Sequence, residues 1–161
     1  MSKLTRREQE NNDIDWYCSI NNHPVHIASM GGLIPKQFCE RAHLRELEEI
    51  VMKLPHISEV QLNEDIVNQE TSEGYEYIER YELSKDIEDL MKDLPSFNYN
   101  PDWPLKTRLF ASSFVDKARK GFHSYARINN KYVLIASPTI ECKEIKLVPL
   151  SIKDLPNEFE L

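Results

Sequence analysis

Residues 17–29 read YCSINNHPVHIAS and residues 125–137 read YARINNKYVLIAS; the two stretches agree at eight of thirteen positions without a gap. Paired asparagines stand in the middle of each. A two-residue type I′ turn needs positive φ at both central positions, and asparagine tolerates that region better than any residue but glycine. Asn21-Asn22 and Asn129-Asn130 therefore predict two β-hairpins. The pairing follows: Ile20 opposite His23, Cys18 opposite Val25 and Trp16 opposite Ile27, then Ile128 opposite Lys131, Ala126 opposite Val133 and Ser124 opposite Ile135. Alternation along each strand makes these pairs an apolar, core-facing side. Tyr17 with His26 and Tyr125 with Leu134, together with His123 opposite Ala136, are left on a second, more polar side where a site is expected. Pro24 cannot donate to a ladder, which predicts an edge strand. The match spans too few residues to separate duplication from convergence on good hairpin residues.

The chain of 161 residues suffices for one domain with a real core. Its 40% hydrophobic and 29% charged content is that of an ordinary globular protein. No apolar run approaches a membrane span, and MSKLTRREQENND lacks the apolar centre of a signal peptide, so a cytoplasmic location is expected. Three cysteines without framework spacing fit reduced thiols. The net charge of −7 is unevenly spread. Residues 59–93 hold twelve acids against three bases, and residues 106–131 hold seven bases against Asp116 alone. Solvated faces that complement each other within the fold account for such a split.

Outward from the hairpins, residues 1–13 are polar and unpatterned and predict a flexible tail, residues 14–150 a single domain, and residues 151–161 an acidic C-terminal tail. Met30-Gly31-Gly32 interrupts the first hairpin. Leu44, Leu47, Val51 and Leu54 then share one helical face, on a helix that begins near Pro35 and stops before Pro55. Strands are expected over Glu59–Val67 and Tyr75–Leu83, a helix over Lys85–Leu94 with Ser84 as N-cap, and a loop over Ser96–Pro104. Phe110, Phe114 and Ala118 mark a second long helix from Leu105 to Lys120, closed by Gly121. A last strand is expected over Ile140–Val148. The fold class is α+β: one antiparallel, hairpin-rich sheet covered on one face by two longer helices.

Four groups of residues invite chemistry. Cys18, His23, His26, Cys39 and His43 are zinc-ligand types, but their spacing matches no finger or ribbon, and His23 and His26 project to opposite sides of a strand, so neither metal nor cofactor is expected. Gly31 and Gly32, between strand and helix, leave backbone N–H groups able to approach an anion. Lys117, Arg119, Lys120, Phe122, His123, Tyr125 and Arg127 interleave bases with aromatics. Of these Lys120 and Arg127 join Gly31 and Gly32 as the anion-binding candidates, while nucleic acid is not expected for an acidic chain. His26, His123, Tyr17 and Tyr125 are the acid/base candidates should the polar sides of the hairpins converge. No motif with a stated mechanism accompanies them. The expected function is a small intracellular module that binds or regulates a protein partner, without a membrane. The alternative is a small enzyme or ligand-binding domain for a phosphorylated or otherwise anionic molecule or nucleotide.

Overall fold

A computed structural model describes residues 2–63, 105–128 and 131–151, with the side chains of 105–109 outside the described part. Its elements, numbered here in chain order, are α1 (Arg6–Glu10), β1 (Asp15–Ile20), β2 (His23–Ala28), a 3-10 turn (Lys36–Phe38), α2 (Arg41–Lys53), β3 (Val60–Leu62), α3 (Leu105–Arg119), β4 (His123–Ile128) and β5 (Lys131–Pro138). The fold is α+β. Five strands form one sheet in the order β1-β2-β4-β5-β3, antiparallel except where β2 runs parallel to β4.

Asn21 and Asn22 take φ of 51° and 66°, the positive pair that a type I′ turn demands. Ile20 pairs with His23 and Trp16 with Ile27 as the sequence predicts. In the second copy Ile128 pairs with Lys131, while the tip, 129–130, lies outside the described residues. There a register shift between Ser124 and Tyr125 places Ser124, not His123, opposite Ala136 and takes Ile135 out of its expected pair. Such a bulge sends two successive β5 residues, Ile135 and Ala136, into one core.

The parallel join decides which side each strand shows. His26 lies beside Ser124 and Ile27 beside Tyr125, so the two copies of the repeat present opposite sides. Tyr17 faces the helices, packed with Leu47 and Val51 of α2 and with Phe122. Ala126 faces them too, with Phe110, Phe114 and Ala118 of α3. Tyr125 joins the other layer, where Trp16, Cys18, Val25 and Ile27 meet Ile34, Phe38, Cys39 and Leu150. The expected common polar side is therefore corrected, because both sides of this sheet are covered. No helix among the described residues is long and apolar enough to cross a membrane.

Three local expectations are also revised. Pro24 sits in an interior strand. Ser19 sends its N–H to Val148 and accepts from Leu150, so it bonds away from its partner Pro24. The missing N–H of Pro24 then points toward β4, where pairing starts only at Val25. Residues 2–13 are not a bare tail. Thr5 and Glu8 close a capping box on α1, Leu4 N–H donates to Cys39, and the buried Gln9 accepts from Ile34 N–H. Ile140–Val148 is not a strand; a single bridge forms just after it, between Pro149 and Ser19. The N–H groups of Thr139 and Ile140 are taken instead by the Ser58 hydroxyl, at 2.8 and 2.9 Å. Beyond Val60–Leu62, the expected strands, helix and loop between residues 64 and 104 lie outside the described residues, as does the C-terminal stretch 152–161.

Candidate functional site

Each pair of acid/base candidates is split by the sheet. His26 is buried on the helix side between Tyr17, whose ring centroid is 5.3 Å away, and Phe114 at 6.0 Å. Its Nε2 lies 2.7 Å from Asp15 Oδ1 and its Nδ1 2.6 Å from Ser124 Oγ. A carboxylate only accepts, so in the neutral imidazole Nε2 carries the hydrogen and Nδ1 accepts from the hydroxyl. The residue types are those of a nucleophilic triad, but Ser124 is 0% exposed and no substrate can reach it. The relay ties β1, β2 and β4 together. Tyr17 donates to Glu48 at 3.0 Å, and burial together with the Glu48 and Asp15 charges pushes its phenol far up, so it keeps its proton and cannot act as a base at neutral pH.

The five residues considered for zinc do not assemble. Cys18 and Cys39 are buried in one apolar cluster; burial pushes the Cys18 thiol up to about 12, away from the thiolate that a metal needs. The basic stretch also disperses. Lys120 Nζ donates to the Val51 and Met52 carbonyls at 3.0 and 3.3 Å and lies 3.6 Å from Asp116, so this anion-binding candidate is engaged within the fold and stands apart from Gly31 and Gly32. Lys117 lies 3.7 Å from Glu48 and 5.9 Å from the centre of the Tyr17 ring.

Arg127, in contrast, meets the glycines. The turn after β2 bends through Met30 and Gly31, at φ of 51° and 82°, and passes directly against the Arg127 side chain. A Cβ on Gly32 would lie 2.5 Å from Arg127 Cδ and 2.9 Å from its Nε, so any side chain there would have to push the guanidinium aside. Arg127 is 4% exposed. Its Nη1 donates to the Leu33 carbonyl at 2.9 Å and its guanidinium lies 5.5 Å from the centre of the Tyr132 ring, yet the buried Nε and Nη2 have no hydrogen-bond partner among the described residues. This is the C-terminal end of the parallel β2–β4 pair, where α/β folds place ligands because backbone N–H groups and loops converge there.

The opposite end of the same pair gathers His23, His123 and Glu141 around one carboxylate oxygen. His23 Nδ1 lies 2.6 Å and His123 Nε2 2.7 Å from Glu141 Oε2, with the rings 5.4 Å apart. Burial would raise the Glu141 carboxyl, and the bonds from His123 and His23 outweigh it to hold the group below its usual range. The sequence signal for this cluster is faint, since Glu141 comes from a stretch read as strand and His23 stands 100 residues from His123. Compared with protein-family models, curated proteins and solved structures, the chain matches none.

Proposed function

We propose that the protein is a small ligand-binding domain for an anionic molecule, held at the turn after β2 by Arg127 beside Gly31 and Gly32. The observation that carries the reading is the pair of buried guanidinium nitrogens, Nε and Nη2, without a hydrogen-bond partner among the described residues. A guanidinium cannot shed its proton, and leaving such donors unpaired away from water costs several kcal/mol, roughly what a bidentate oxyanion restores. The turn through Met30 and Gly31 covers Arg127, and a ligand that reaches the guanidinium has to displace it.

Thermal shift with inorganic phosphate, nucleotides and sugar phosphates tests this. A ligand at a hundred times its Kd adds about 2.7 kcal/mol to apparent stability. Wild type should gain melting temperature with at least one of these, and Arg127→Met should lose the gain. A panel without effect on wild type, with Arg127→Met more stable than wild type, would mark the guanidinium as merely tolerated and end the proposal.

The protein-partner reading draws support from a different place. Ile50 and Met52 on α2, with Ile57 just beyond it, are exposed, Met52 to 67%. A specific partner that is lost on Met52→Glu, with melting unchanged, supports that reading; binding indifferent to this change removes it.

A further inference from the structure

The N-terminal end of the β2–β4 pair stands roughly 13 Å from Arg127 along β4 and carries separate chemistry. From its geometry we propose that His23, His123 and Glu141 form a three-ligand site for a divalent cation of the zinc class, with a fourth position, open to water or substrate, facing the adjoining cavity.

The donor set comes first. Two imidazoles and one carboxylate match a borderline cation and serve poorly for magnesium or calcium, which seek oxygen. The three ligand atoms lie within 4.8 Å of one another. Zinc bonds of about 2.1 Å set tetrahedral neighbours about 3.4 Å apart, so the two N···O pairs, now 2.6 and 2.7 Å, need to open by less than ~1 Å around an ion. The side chains have room to do so, being 57%, 25% and 30% exposed for His23, His123 and Glu141.

The backbone holds these groups in place from three separate parts of the chain. His23 opens β2 and His123 opens β4, and parallel pairing of Val25 with His123 sets both on one side of the sheet. Glu141 is brought over them by the contact of its neighbour Cys142, whose N–H donates to the Gly121 carbonyl at 3.0 Å. Gly121, at φ of 100°, has no room for a Cβ, which would meet the Cys142 backbone and the Glu141 carbonyl carbon. On the other flank the Ser58 hydroxyl fixes Thr139 and Ile140. Glu141 is thus carried on a braced segment.

A cavity of about 430 Å³ begins at the cluster and is lined by His123, Glu141, Pro138, Thr139, Ile140 and Lys143. An ion held by three protein ligands on one side keeps a coordination position toward this space, the arrangement of catalytic rather than closed structural zinc sites. Lys143, which also lines the cavity, suits an anionic group on whatever occupies that position.

Isothermal titration of the full chain with zinc chloride tests the site, with magnesium chloride as the oxygen-seeking control. One zinc per chain is expected, with no magnesium binding. His23→Ala with His123→Ala, and separately Glu141→Gln, should weaken zinc by more than about tenfold, since loss of even an outer partner commonly costs 10–100-fold. Arg127→Met should leave zinc affinity unchanged, which separates this site from the anion site. The cobalt complex of the wild type, which needs no variant to fold, should show the intense visible absorption of a four-coordinate ion. No zinc binding, zinc binding undiminished in the double histidine variant, or the faint spectrum of six-coordinate cobalt would each overturn the proposal.

Discussion

The hydroxyl of Ser124 is the group that lets His26 stay inside the core, since it is the partner of Nδ1 as Asp15 is of Nε2. Ser124→Ala leaves one buried ring nitrogen unpaired, and the expected cost is about 1–3 kcal/mol, read as a lower denaturation midpoint. Asp15 makes this pH-dependent. Burial would raise its carboxyl, and the hydrogen bond from His26 together with the His26 and Lys117 charges outweighs burial and holds it below the ordinary 3.8. A group depressed in the folded state gives stability that is whole above the unfolded value and is lost as pH falls through the folded one. Asp116, lowered by His56 and Lys120 against its burial, acts in the same sense. Melting temperature should therefore drop as the pH is taken below about 4, and Asp15→Asn should flatten that drop. Gly32→Ala forces a methyl into the Arg127 side chain and should cost about 1–3 kcal/mol by the same measurement.

Between elements, the junction of α3 with β4 is built from bonds that a side chain on residue 121 would break. Gly121 N–H donates to Ala118 and Phe122 N–H to Lys117, the two bonds of a Schellman ending. Ile57 and Ser58 N–H both reach the Arg119 carbonyl, and Lys120 reaches over to the end of α2. Lys120→Met keeps the aliphatic stem but strips the Val51 and Met52 carbonyls of their cation, with an expected loss of about 1–2 kcal/mol in denaturant titration. Local rules made much of this legible. The φ preference of Asn21-Asn22 exposed the first turn, the spacing of Leu47 and Val51 the face of α2, and Gly121 the end of α3. Ile140–Val148 misleads because its alternation resembles a strand, while Ile140 N–H goes to the Ser58 hydroxyl, Cys142 N–H to the Gly121 carbonyl, and the Val148 carbonyl accepts from Ser19 N–H. The meeting of Gly32 with Arg127 is half visible in the sequence, where both are anion candidates. Lys120 looks like Arg127 in one dimension, and only the fold shows it turned to the end of α2.

Across the molecule, what no local rule supplied is the parallel seam between β2 and β4, because nothing in a strand's own residues states which neighbour it takes. That seam decides that His26 meets Ser124 and that His23 approaches His123. It joins segments about a hundred residues apart, so its closure entropy is met late, and refolding should be slow for a chain of this size, in the millisecond-to-second range. Both strands are interior. Native-state hydrogen exchange should find the slowest amides in β2 and β4 and fast exchange over residues 143–147, where bonding is sparse. Slow exchange in β1 with fast exchange in β4 would mean that the seam is not the stable unit of the fold.

The opposed orientation of the two matching hairpins has a consequence for protein engineering. Tyr17 donates to Glu48 beneath α2, whereas Tyr125 lies in the layer with Trp16 and Ile27. Tyr17→Phe therefore removes a bond that Tyr125→Phe does not touch. Grafting one copy's sequence onto the other would preserve the letters while delivering each to a foreign environment. A consensus built by averaging the two halves would mix incompatible requirements, and the pair is better treated as two separate parts that happen to share a spelling.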